Sequence, residues 1–132
     1  MSTVNSILIL PIFFAVLILA NEIKYKAIFD SCIRSESATI KDLETIFSGV
    51  LPETRSEKCV AACLSERFGA MVDNQLSYDG LKKNLIEQTN IETKALDIAD
   101  QMFERCGNIT DTDRCEAASK IHTCLYELSH LC

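Results

Sequence analysis

The chain has 132 residues, 48% hydrophobic and 24% charged, with 19 acidic against 13 basic side chains and a net charge of −6. That length fits one domain with a modest core. The acidic balance excludes a nucleic-acid partner, because no Lys/Arg cluster exists to displace phosphate counterions and the longest basic run is Lys82-Lys83.

In chain order, the first feature is an apolar run of fourteen residues from Ile7 to Ala20, broken by Pro11 and ending at a small residue. A membrane anchor needs about twenty apolar residues, so the run is too short for one and fits the apolar stretch of a secretory signal. Met1 to Ser6 holds no Lys or Arg, which departs from the usual signal pattern. The expectation is a signal peptide over residues 1–20 and a secreted, extracellular domain over residues 21–132.

From there the chain reads as helices, since Pro52 is the only proline left and polar breaks separate the apolar stripes. The first helix is expected over about Glu22 to Ser35, with Tyr25, Ile28, Phe29 and Cys32 at helical spacing, although Ile23, Tyr25 and Ala27 also alternate like a strand. A second covers Ile40 to Phe47, capped by Thr39 and stopped by Gly49, with Ile40, Leu43 and Phe47 facing inward. Thr54 and Glu57 form the capping pattern of a third, which Gly69 ends. Leu81 and Leu85 mark a fourth after Ser77. Thr89 and Glu92 are read as the cap of a fifth, whose inner face is Ala95, Ala99, Met102 and Cys106 and whose stop is Gly107. A sixth runs from about Asp113 to Leu131, with Ala118, Ile121, Leu125 and Leu128 on one stripe.

Seven cysteines punctuate these helices: Cys32, Cys59, Cys63, Cys106, Cys115, Cys124 and Cys132. In a short secreted chain such a set reads as a disulfide framework. Cys59 and Cys63 are one turn apart, so they share a side but point at different neighbours. Cys115 and Cys124 are half a turn out of phase and cannot pair within one straight helix. The third and sixth helices are therefore each tied to two other elements. Six cysteines still allow fifteen pairings, and spacing alone does not choose among them.

The spacing resembles that of the insect odorant-binding proteins, the pheromone and general odorant-binding family. That family keeps three residues between its second and third cysteines and eight between its fifth and sixth, as at Cys59/Cys63 and Cys115/Cys124. The stretch Cys63-Leu64-Ser65-Glu66-Arg67-Phe68-Gly69-Ala70-Met71 also resembles the family's run from the third cysteine to a helix-ending glycine. Two features depart from the pattern: Asp73-Asn74-Gln75 lacks the glycine often found in this turn, and only eight residues follow Cys124.

The resemblance implies an all-α fold, a six-helix array with three interlocked disulfides around an apolar cavity. It implies the pairs Cys32–Cys63, Cys59–Cys115 and Cys106–Cys124. It further implies a non-enzymatic carrier that reversibly buries a small hydrophobic ligand of odorant or pheromone type, with a membrane odorant receptor as a further partner. The lining would come from Tyr25, Phe29 and Phe47 early in the chain, from Phe68, Met71 and Leu76 around the third helix exit, and from Leu85, Met102, Phe103, Leu125 and Leu128 later. Each of these is accounted for equally well as ordinary core. Ser65, two residues past the third cysteine, is the candidate polar anchor, unless its hydroxyl returns to the carbonyl one turn back. Tyr78 and Tyr126 are lesser handles.

The remaining chemistry is sparse. His122 and His130 make no catalytic constellation with six oxidised cysteines, and no cofactor or metal is expected. Unperturbed, both imidazoles would gain charge near pH 6.5 and loosen their end of the pocket, unless they stand exposed and uncoupled. Asn108-Ile109-Thr110 is a glycosylation sequon. Cys132 is left over, which points to a Cys132-linked homodimer or a free thiol. The alternative to a carrier is a secreted disulfide-bonded interaction protein, a venom, salivary or reproductive factor that meets a protein partner on the same scaffold.

Overall fold

Local capping chemistry sets most of the helix ends. The structure is a computed structural model, and it describes residues 25–129. The expected signal peptide, His130 and Cys132 lie outside them. Among the described residues there are six helices and one short hairpin. Helix α1 is described over residues 25–35. Helix α2 spans Ile40–Phe47, α3 Arg55–Arg67, α4 Tyr78–Thr89, α5 Glu92–Cys106 and α6 Arg114–Ser129, with strands β1 (Met71–Val72) and β2 (Gln75–Leu76) between α3 and α4.

Thr39 and Asp42 form a reciprocal capping box at α2, and Thr54 and Glu57 form another at α3. Asp113 caps α6, its Oδ1 accepting from the backbone N–H of Cys115 at 2.9 Å. At the other end of α3, Gly69 takes φ +78°. Its N–H donates to Glu66 O, and that of Ala70 donates to Ser65 O at 2.8 Å. This is a Schellman stop, and its left-handed backbone favours glycine at Gly69.

Three expectations are corrected here. Ile40 is 66% exposed, and Ile46 is the buried side chain of α2. Helical side chains lean toward the N-terminus, so that of the first residue projects past the helix end. Thr89 does not cap α5. It is the last residue of α4, its hydroxyl donating to Leu85 O at 2.8 Å, and Asn90 then takes the left-handed conformation. Helix α5 starts after Ile91 with no side-chain cap.

The third correction is the hairpin, an addition to the helical reading. Asp73 and Asn74 both have positive φ, +52° and +63°. That is the requirement of a tight primed turn, and Asp and Asn tolerate it where glycine is lacking. Register pairs Met71 with Leu76, which are buried, and Val72 with Gln75, which face out. The tip is held by Asn74 Nδ2 donating to Asp111 O at 2.9 Å.

The bridges and packing then close the body. Helix α3 packs chiefly on α6, and α4 on α5. Cys32–Cys63 ties α1 to α3, Cys59–Cys115 ties α3 to α6, and Cys106–Cys124 ties α5 to α6, with Cα separations of 5.7, 4.5 and 5.9 Å. Beside the second bridge, the Arg114 guanidinium donates to both carboxylate oxygens of Glu36 and to Glu66, joining the end of α1 to α3 and α6.

One contact is backbone on backbone. A Cβ on Gly80 of α4 would overlap the carbonyl of Gly69. Neither side of that contact is a flexible side chain, so the helices would have to part. Gly80→Ala is expected to destabilise by about 1–3 kcal/mol, despite the better helix propensity of alanine. Urea unfolding reads this directly, and an unchanged or higher midpoint would contradict it.

Candidate ligand pocket

Inward faces of five elements leave a gap between the helix 3 exit, the hairpin and α6. Ser65 of α3 lines it with Ala70, Met71 and Leu76 of the loop and hairpin. Leu81 and Met102 close it from α4 and α5, and α6 contributes Ala118, Ile121, His122 and Leu125. The space between these walls, with the open solvent at its mouth included, is about 450 Å³. No Asp, Glu, Lys or Arg lines it, so its walls suit uncharged, apolar matter.

Two polar groups interrupt those walls. Ser65 is buried, yet among the described residues no hydrogen bond is found for its hydroxyl. The hydroxyls of Thr45, Thr89 and Thr123, by contrast, each donate to the carbonyl one turn back. The Ser65 hydroxyl therefore keeps its donor and acceptor capacity for whatever occupies the pocket. His122 is the second group. Burial pushes its imidazole well below the usual histidine range, to about 4. It stays neutral near pH 6.5, which corrects the charge gain expected from an unperturbed value.

Five of the twelve residues named from the sequence meet at this pocket: Ser65, Met71, Leu76, Met102 and Leu125. Others lie elsewhere. Tyr25, Phe29, Phe47 and Phe68 pack on one another in a separate aromatic cluster, with edge-to-face centroid distances of 5.1 Å for Tyr25–Phe68 and 5.2 Å for Phe29–Phe47. Such pairs fill space between α1, α2 and α3 and need no ligand to do it. Leu85 is closed core, and Leu128 is a partly buried residue beside it. Phe103 is 39% exposed, its ring set against Tyr78 on the outer surface. Tyr78 donates to Asp100 at 2.6 Å.

Five lining residues were not named as such: Ala70, Leu81, Ala118, Ile121 and His122. Ala118 and Ile121 were on the stripe read for the sixth helix. His122 lies four residues past Ala118 and three before Leu125, so helical spacing places it on the same face. Only its polarity hid it.

A second, smaller pocket, about 280 Å³ with open solvent included, is walled by Ile46, the Gly49–Pro52 connection, Tyr126 and again His122. For metal chemistry, the one group of donor atoms drawn together among the described residues is Glu36 with Cys59 and Cys115. Those two sulfurs are bonded to each other, so no thiolate is left to ligate. Asn108 is exposed between α5 and α6.

The family described as PBP/GOBP matches residues 19–128 of the chain. Among solved structures, the chain is similar to the odorant-binding protein dmelOBP28a from Drosophila melanogaster, at 26% identity and a TM-score of 0.67, over 80% of this chain and 89% of that one. It is also similar to the fatty acid binding protein OBP56a from the oral disk of the blowfly Phormia regina, at 20% identity and a TM-score of 0.69, over 86% and 95%. A third is Odorant Binding Protein 7 from Anopheles gambiae, with four disulfide bridges and in complex with an azo compound, at 22% identity and a TM-score of 0.62, over 80% and 85%. No curated protein sequence matches the chain.

Proposed function

The chain belongs to the PBP/GOBP family, and from that premise we propose that it is a secreted carrier that reversibly buries a small, uncharged hydrophobic molecule. The observation that carries the reading is the unbonded Ser65 hydroxyl inside a pocket whose other walls, His122 apart, are apolar. The hydroxyl faces the pocket without a protein partner among the described residues, and a ligand oxygen there would gain a hydrogen bond from it. An alcohol, aldehyde, ketone or ester supplies that oxygen without bringing charge. The blowfly protein's name points to fatty acids. In this chain a carboxylate would meet no cation among the lining residues, and an unpaired buried charge is strongly disfavoured.

Three bridges suit an oxidising extracellular fluid. They also hold the helices apart at their fixed separations, so the gap between them survives when empty. Delivery to a membrane odorant receptor is part of the same proposal.

Displacement of the apolar fluorescent dye N-phenylnaphthylamine tests it. Saturable dye uptake, reversed by a medium-chain alcohol, supports the carrier. Ser65→Ala should then weaken the alcohol by about 2- to 10-fold while leaving a matched alkane unchanged, the net value of one hydrogen bond. No dye uptake, together with capture of a protein partner, would support the secreted interaction protein instead.

A further inference from the structure

The two pockets have one residue in common. His122 lines the interior pocket from α6 and also lines the smaller pocket walled by Ile46, Val50, Leu51, Pro52 and Tyr126. Both spaces are walled mainly by apolar side chains, and no Asp, Glu, Lys or Arg lines either. The His122 imidazole is thus the side chain common to both walls, and a change of rotamer would move a ring of this kind without moving the backbone.

We propose that His122 is a displaceable partition, and that swinging its imidazole aside joins the two pockets into one channel for a long, unbranched, uncharged chain. The inference rests on the carrier reading and adds a length rule to it. Short ligands stay in the interior pocket, with their oxygen at Ser65. Longer ones run their tail past His122 into the space under the α2–α3 connection. Tail methylenes placed there leave water for an apolar wall, worth about fourfold in affinity for each one fully buried. Val50, 55% exposed at the rim, gives access to the second space from outside, without disturbing the first.

Competition by octanol and by hexadecanol against bound N-phenylnaphthylamine tests the partition in the wild type, His122→Ala and Val50→Trp. His122→Ala removes the wall, so the affinity ratio of hexadecanol to octanol should rise by about tenfold or more. Val50→Trp should plug the second space and lower the ratio by a similar factor, with octanol itself unchanged. Circular dichroism reports whether each variant folds. If His122→Ala does not, Val50→Trp decides alone, since it replaces an exposed loop residue. A ratio that stays the same in every folded variant overturns the partition while leaving the carrier reading intact. Absence of dye uptake by the wild type would overturn both.

Discussion

Replacing Cys59 and Cys115 together by alanine is expected to lower stability by about 4 kcal/mol, the value the chain-entropy argument gives for a loop of this size. The bridge spans 56 residues of sequence and ties the start of α3 to the start of α6. Among the described residues, those two helices pack extensively on each other. Without the bridge the unfolded chain gains the freedom of that long loop. The Cys106–Cys124 bridge spans only 18 residues, so its removal should cost about 3 kcal/mol. In thermal unfolding the first variant should melt roughly 15–20 °C below the wild type, by the usual conversion for a domain of this length. Equal midpoints for wild type and variant would show that the bridge constrains little.

The second large effect is in acid. His122 is held neutral in the folded protein down to about pH 4, whereas in the unfolded chain it takes a proton near the ordinary value of about 6.5. Above that ordinary value both states are neutral and the residue contributes no pH dependence. Between there and about pH 4 the unfolded state binds a proton that the folded state refuses, so stability falls as pH falls. Across the full window the loss is about 3 kcal/mol. No carboxylate lines either pocket to receive the imidazolium. His122→Leu should remove this slope while leaving the further loss at lower pH. That further loss comes from Asp42, Asp111 and Asp113, whose carboxyls are held below the usual range by hydrogen bonds to Thr39 and Ser56, to Lys120 and to Arg55 respectively. Stability measured by urea between pH 7.5 and 4 reads it. An identical pH slope in wild type and His122→Leu would contradict the burial of this imidazole. Dye affinity should be nearly equal at pH 7.4 and 5.5 as far as His122 is concerned.

Capping and the cysteine framework were legible in the sequence because their chemistry is local or covalent. Thr39 and Thr54 need only a neighbour three residues on, and both cap where they were read, while Ser77, read only as preceding the fourth helix, proves to be its cap. The inner face of α5 emerged intact for a related reason, since Ala95, Ala99, Met102 and Cys106 repeat at helical period. The hairpin did not, because two-residue strands carry no period and the turn uses Asp73 and Asn74 in place of glycine. The pocket was half legible. Periodicity says which side chains point inward, but not whether they meet a void or each other. Tyr25, Phe29, Phe47 and Phe68 point inward and meet each other. His122 points to a void, and its polarity disguised an inward position.

The most direct measurement follows the two methionine methyl groups of the folded domain. Met71 on the hairpin and Met102 on α5 approach the pocket from different elements, and the only other methionine of the chain is Met1. Carbon-13 methyl spectra of the methionine-labelled protein, recorded through a titration with octanol, should show both resonances shifting together and saturating at one ligand per chain. Saturable octanol binding that leaves the Met71 and Met102 methyls unmoved, or no binding at all, would contradict a carrier with its pocket in this place.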